Sequence, residues 1–147
     1  MNEIFATPQP IAATVSVAGA RLRVIASDRT DTAVLAEPIE SAEPIGSAEP
    51  IKVAFSRGHL TVKATRSGEK ITIYVPAGSS LVAYASHSDV QAAGPLGDCE
   101  LHSASSRVRL DRVDSLQANT AGGEIEVGHV AGRASVRGGG RIVILEI

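Results

Sequence analysis

From residue 79 onward the chain repeats itself every 17–18 residues, and this period restricts the fold more than any other feature. Apolar residues recur at Ala83, Leu101, Ala118 and Val136, in steps of 18, 17 and 18. A second set, Val90, Val108, Ile125 and Ile142, steps by 18, 17 and 17, and a third, Leu96, Val113 and Val130, steps by 17. Three sets keeping one period mark a stack of short repeating units, each touching only its neighbours. Every unit reads strand, small-residue corner, strand, corner. The corners are rich in Ser, Gly and Asp: Ser86-His87-Ser88-Asp89, Ser103-Ala104-Ser105-Ser106, Thr120-Ala121-Gly122-Gly123 and Gly138-Gly139-Gly140. Such residues accept or tolerate the positive φ of tight corners. Two or three residues per strand then point inward, and a narrow stack has no space for Trp. The composition agrees: no Trp, two Phe and two Tyr, with 15 Val and 12 Ile against 9 Leu. A β-branched excess of this size favours sheet over helix.

The first half of the chain alternates at period two without a longer repeat. Ile11, Ala13, Val15 and Val17 share one face of a strand, and Leu22 and Val24 continue after an Ala18-Gly19 turn. Ser27 to Asp31 is a polar turn before a third strand at 32–36. Ile51, Val53 and Phe55, a turn at Arg57-Gly58, and Leu60, Val62 and Ala64 give two more strands. Arg66 to Glu69 turns again, and 70–75 is a strand ending at Pro76. These patterns predict antiparallel hairpins. Between them, residues 37–51 read EPIESAEPIGSAEPI, with Pro at 38, 44 and 50. Proline every six residues denies a helix or a central strand, which predicts an extended surface loop. The P-x-x-P spacing of proline-recognition ligands is missing.

The expected fold is therefore all-β: N-terminal antiparallel hairpins (8–76, with the EPI loop at 37–51) continuing into a short β-solenoid-like stack of 17–18-residue rungs (79–147), in a single domain 1–147. Two segments also carry a resemblance. PQPIAATVSVAGARLRVIASDRTDTAVLAEP (8–38), above all its ARLRVIASDRTDTAV portion, resembles the opening of a bacterial, especially actinobacterial, family of putative adhesin or toast-rack domains. Corners such as NTAGGEIEV (119–127) resemble the same family's repeating rungs. The resemblance implies a twisted β-solenoid-like stack. It implies no established chemistry and carries no functional residues over.

Composition and spacing exclude more activities than they support. A net charge of −2 with mixed signs argues against a polyanion-binding protein, so no nucleic-acid partner is expected. One Cys permits neither an intramolecular disulfide nor a paired-cysteine zinc site. No signal-peptide pattern and no apolar run of bilayer length occurs. The lone thiol suits a reducing compartment, so the expected location is cytoplasmic, without a membrane span. His59, His87, His102 and His129 do not follow the period: His87 to His102 is 15 residues and His102 to His129 is 27. Stacked rungs would not converge them on a metal, and they read as solvated corner residues. Cys99 starts a rung where Leu116 and Ala134 start later ones, and so reads as a small core residue. His102 lies at an odd offset from Cys99 and should face away, which opposes a nucleophile–base pair. The serines lack a G-x-S-x-G elbow, and the glycine runs lack a phosphate-loop context. Arg107, Arg109 and Arg112 with Lys52, Lys63 and Lys70 could form a basic strip, but acids neighbour them and no aromatics accompany them for base stacking.

The expected function is a non-enzymatic structural or protein-interaction module with no cofactor, catalytic residue or metal ligand. A carbohydrate- or surface-binding adhesin-like module is the alternative, and a β-solenoid enzyme ranks below both. Sugar binding would call for exposed aromatics, and Tyr74 and Tyr84 both fall inside strand patterns. The candidate interaction surface is the C-terminal strand. Val143, Ile144, Leu145 and Ile147 are too apolar for a free edge, and they predict pairing with a protein partner or a homodimer through that strand. The EPI reading has its own test. Deleting one hexapeptide should shift the urea midpoint by the equivalent of about 0.5 kcal/mol or less, since loop closure depends weakly on length. A deletion that unfolds the protein would show that the segment is packed.

Overall fold

The computed structural model describes residues 2–38, 51–64 and 69–146. Those residues form an all-β, solenoid-like structure. In chain order the strands are β1 (Asn2–Ala6), β2 (Ala12–Ala18), β3 (Arg21–Ser27), β4 (Asp31–Pro38), β5 (Ile51–Ser56), β6 (His59–Ala64), β7 (Glu69–Pro76) and β8 (Ser80–Ser86). They continue with β9 (Asp89–Val130), β10 (Ala134–Gly138) and β11 (Arg141–Glu146). The 42-residue β9 is extended throughout but bends at corners, so it supplies parts of several successive rungs.

A rung consists of two strands joined by a corner. β2 and β3 form one rung, β6 and β7 another, and β8 runs into the start of β9 as a third. The first strands stack in parallel, with β2 between β6 and β8, and β8 against the Cys99–Ala104 stretch of β9. The second strands stack likewise, with β3 between β7 and residues 89–93 of β9. β10 and β11 close the series, pairing with 116–120 and 124–129 of β9. The predicted steps hold in this register: Ala83 lies opposite Leu101, and Val136 opposite Ala118.

The N-terminal part differs from simple hairpins in one respect. Antiparallel pairs are present there, β1 with β4, β4 with β7, and β5 with β6. The β5–β6 turn has positive φ at both Arg57 (52°) and Gly58 (74°), the conformation that matches hairpin twist. β2 and β3, however, do not pair with each other. Their apolar faces (Val15 and Val17; Leu22 and Val24) meet across the core only if the chain turns a corner rather than folding back within one sheet. The repeating rung thus begins at residue 12, ahead of the visible period. The EPI repeat is also shorter than the sequence suggests. Glu37 and Pro38 extend β4 against Lys70 and Glu69, and Ile51 opens β5 and is fully buried. Pro38 lies beyond the β1 pairing, where a missing N–H leaves no ladder bond unmade. Residues 39–50 and the turn at 65–68 lie outside the described residues.

The corners are held by buried hydroxyls. The amide of Ala20 donates to Ser88 Oγ (3.1 Å), and the amide of Ser88 donates to Ser106 Oγ (3.1 Å) in the next rung. Each hydroxyl in turn donates to a carbonyl two residues back, Ser86 and Ala104. The opposite corner uses Ser79, whose Oγ accepts from the Ile11 amide and donates to the Pro76 carbonyl. These corners have left-handed positions at Gly19 (62°), His87 (48°), Ser105 (49°) and Gly122 (78°), the last followed by a second at Gly123. At Gly123 (91°) a Cβ would sit 2.2 Å from the Ser106 carbonyl oxygen, so only Gly fits below that rung.

One core runs the length of the stack. Leu101, Val108, Ala118 and Ile125 are buried as the columns predict. Val136 and Ile142, expected to be buried, are only half-buried. They belong to the last rung, so one side of each has no neighbour. The difference predicts a gradient of cost. Val108→Asp should lower unfolding free energy by about 4 kcal/mol, because it puts an unpaired charge in a dry stack. Val136→Asp should cost about half as much or less, since its carboxylate reaches water. Urea midpoints of both variants check the order, and equal losses would contradict the stacking direction.

Candidate functional site

Two outward-facing columns carry the polar chemistry. On the second strands, the column Arg21, Asp89, Arg107, Glu124 and Arg141 alternates in sign from rung to rung. Arg107 Nε lies 3.5 Å from Glu124, Arg109 Nε 3.3 Å from Glu126, and Arg141 3.9 Å from Glu124. Two members of the sequence's basic strip are thereby paired with acids, while Lys70 lies next to Arg21 at the β7 end of the column. Arg107 and Arg109 are spent on acids one rung away, in exposed pairs worth a fraction of a kcal/mol each. Their value is in register, since a slip of one residue would break every pair and turn the apolar face outward.

The first strands present a different column. Reading from β6 through β2, β8, β9 and β10, the outward positions in register are Lys63, Ser16, Tyr84, His102, Asn119 and Arg137. Tyr84 and His102 are neighbours in adjacent rungs, and their rings stack with centroids 4.9 Å apart and planes 8° from parallel. Inward positions belong to Leu81, Ala83 and Ala85, which is why Tyr84 faces water and is 45% exposed. The period-two pattern contained this, since Ala83 belongs to the apolar column and its neighbour must then point out. Tyr74 is half-buried, with the Arg29 guanidinium 4.9 Å over its ring. Arg29 also hydrogen-bonds Asp31 at 2.5 Å and holds that carboxyl below the usual carboxylate range.

Beside the Tyr84 column runs an open cleft of about 660 Å³, within the size range of small-molecule sites. It follows the first corner from Ala64 to Gly138, floored by small residues such as Ala18, Ser86, Ala104 and Ala121. Ser103 lines it from below. This serine is 8% exposed, and its hydroxyl has no hydrogen-bond partner.

The four histidines stay apart. His59 on β6 bonds Thr14 at 3.2 Å, and His87 occupies a left-handed corner. His102 lies on a strand rather than a corner, 3.6 Å from Glu100, and His129 is on β9 opposite Glu146. Among the described residues, no three of His, Cys, Asp and Glu group as metal ligands would. No helix there is long and apolar enough to cross a membrane. Cys99 is buried opposite Leu81, while His102 faces outward, so the two do not meet. Of the self-association residues, Ile144 lies over Val127, half-buried beside Ile142 over Ile125. Val143 is half-buried, Leu145 is 68% exposed, and Ile147 lies outside the described residues.

The fold has solved relatives. A putative adhesin from Parabacteroides distasonis matches with a TM-score of 0.52 at 15% identity, over 98% of this chain and 64% of that one. This chain thus spans less than two thirds of that protein's length. A putative cell adhesion protein from Clostridium sporogenes aligns at TM-score 0.47 and 11% identity, over 100% of this chain and 99% of that one. A putative adhesin from Bacteroides fragilis aligns at 0.36 and 11%, over 100% and 96%. No protein-family model and no curated protein matches the sequence. The Parabacteroides likeness is one of fold alone. The actinobacterial resemblance in segments 8–38 and 119–127 is finer than a shared fold can carry.

Burial in the core pushes the Cys99 thiol up to about 12, with Asp98 and Asp114 adding to the effect. The folded protein should resist thiol reagents at pH 8 and react only in denaturant, which a DTNB time course reads directly. The same shift gives a pH dependence. An unfolded thiol ionises near 9.0 while the folded one stays protonated, so stability is fully present below pH 9 and is lost as pH rises towards 12. Rapid labelling of native protein at pH 8 would contradict the burial of Cys99.

Proposed function

We propose that the protein is a non-enzymatic interaction module that docks through its last rung, β10 and β11, onto a second copy of itself. The observation that carries this reading is the contrast between the two ends of the stack. At the β6–β7 end, antiparallel strands cover the rung: β5 lies on β6, and β4 on β7 with β1 beyond it. Phe5 and Phe55, from β1 and β5, stack there at 4.9 Å and plug the core. At the other end, among the described residues, β10 and β11 each pair only with β9. Val136, Ile142 and Ile144 are left half-buried and Leu145 exposed. Edges that stay monomeric carry lysines, prolines or bulges. β11 has none of these between Arg141 and Glu146. A second copy brings an equally apolar rung, and twofold apposition covers both at once.

Adhesin names among the fold relatives agree with a binding rather than a catalytic role. The Arg107–Glu124 and Arg109–Glu126 pairs also agree with it, because they run from rung to rung along an exposed face.

Replacing both Ile144 and Leu145 by Lys should yield a monomer of unchanged far-ultraviolet circular dichroism, against a dimer for the wild type. Light scattering with size-exclusion chromatography measures both masses. A wild type that is monomeric at high micromolar concentration sinks the reading, as does a double variant that keeps the wild-type mass.

A further inference from the structure

One outward column of the second strands changes character only at the last rung. From β7 upward it holds Thr72, Arg23, Gln91, Arg109 and Glu126, all polar, and then Val143. Beside it Gly128 lies over Asp111, and in the same register Leu145 lies over Gly128. The apolar surface of β11 is therefore two-sided. Ile142 and Ile144 face the core, and Val143 and Leu145 face out. The edge of β11 that has no strand partner among the described residues runs between these two sides. A strand added there covers both at once, since cross-strand neighbours stand about 5 Å apart on each face. β10 is less suited, because Val136 is its one apolar side chain larger than a methyl group.

Resting on the self-docking of the last rung, we propose that the strand added is the partner's β11, antiparallel and in a register centred on Val143. A twofold axis that kept the strands parallel would turn the partner's Ile142 and Ile144 outward, so the pair runs antiparallel. Side chains alternate at period two, so keeping both isoleucines inward in both copies puts the axis at a residue, not between two. An axis at Arg141 sets two like charges directly opposite each other, which is destabilising. One at Ile142 pairs only the stretch beside the corner and places Leu145 beyond the partner's strand. One at Ile144 or Leu145 sets Glu146 opposite the partner's Ile142 or Ile144. With the axis at Val143, Ile142 meets the partner's Ile144 on the core side, twice over, and Val143 meets its own copy outside. Leu145 then lies across from the partner's Arg141. It packs on the methylenes of that side chain, while the guanidinium stays with Glu124, 3.9 Å away within its own chain.

Charge exchange at the centre tests the register, because only the axial residue meets its own copy. Val143→Lys and Val143→Glu should each raise the dimer dissociation constant roughly tenfold or more. An equimolar mixture of the two should recover the wild-type mass in sedimentation equilibrium. Val143→Glu is the decisive variant: with the axis at Ile142 its carboxylate would face Arg141, and the dimer would tighten. Circular dichroism of each variant should match wild type, because Val143 points away from the core. A second measurement leaves the axial charge unchanged. Val143→Cys should cross-link to itself under mild oxidation, whereas Arg141→Cys and Leu145→Cys should cross-link only when mixed with each other. The native Cys99 is buried and stays silent. A monomeric wild type removes the docking and this pairing with it. The docking survives and the register is overturned by three results in a dimeric wild type: a Val143→Glu variant that stays dimeric, lysine and glutamate variants that do not complement each other, or an Arg141→Cys variant that cross-links alone.

Discussion

A rung stays in register with the next only if its corners keep the same length and the same backbone twist, and here a buried ladder of hydroxyls enforces both. Ser88 and Ser106 each accept an amide from the rung before and return a proton to their own corner. A corner one residue longer would move the hydroxyl off that amide and leave a buried donor unpaired, at a cost of about 1–3 kcal/mol. The left-handed position beside it is taken by Gly where there is a choice, but by His87 and Ser105 in the middle of the stack. Those two residues hold conformations that cost an ordinary side chain about 1 kcal/mol or more. They persist because the ladder on either side leaves the chain no other path.

The outer faces follow from that register. Once corners fix which residues lie above which, the outward columns become fixed sets of neighbours, and the two strand layers use them differently. The second strands spend their charges on one another, with Arg107 to Glu124 and Arg109 to Glu126 repeating at the 17-residue step. These pairs help select the register. The first strands place the Tyr84–His102 stack between Lys63 and Arg137, with Glu100 3.6 Å from His102.

The period read from Ala83, Leu101, Ala118 and Val136 was enough to derive the rungs from residue 79, because consecutive rungs there are also consecutive in sequence. The earlier rungs were not legible as rungs. β2–β3 and β6–β7 are neighbours in space, but β4, the EPI repeat and β5 lie between them in the chain. The rung that follows β2 in the stack on its other side is β8, and the bonds that join them, Ile11 to Ser79 and Ala20 to Ser88, span 68 residues. Hairpins were the nearest local reading of two alternating strands around Ala18-Gly19, and nothing within a window of 20 residues distinguishes a hairpin turn from a rung corner. Tyr84 was misjudged for a simpler reason. Lying inside a strand does not mean facing the core, and the alanines on either side already assigned the inward face. Exposure at the last rung was only half legible. Apolar residues at 142–145 were visible, but which of them would be shielded depended on Ile125 and Val127 lying beneath.

The order of rungs in space also explains why the two ends of the stack are unlike. β2–β3 is made first in the chain but sits second in the stack, and β6–β7 is inserted beneath it after β4 and β5 have been laid down as covers. Both covering strands run antiparallel to the rung they close. Their reversed direction interrupts the parallel ladder, so a further rung has no template on that side. The core beneath is then finished by Phe5 on Phe55, the two largest apolar side chains in the sequence, at the one level where no rung must stack on top of them. Growth by simple repetition is thereby confined to the other side. There Arg141 already pairs downward with Glu124, and Val136, Ile142 and Ile144 present the same columns as every rung below. The last rung is therefore chemically a copy of its predecessors, lacking only the layer that each of them has above it.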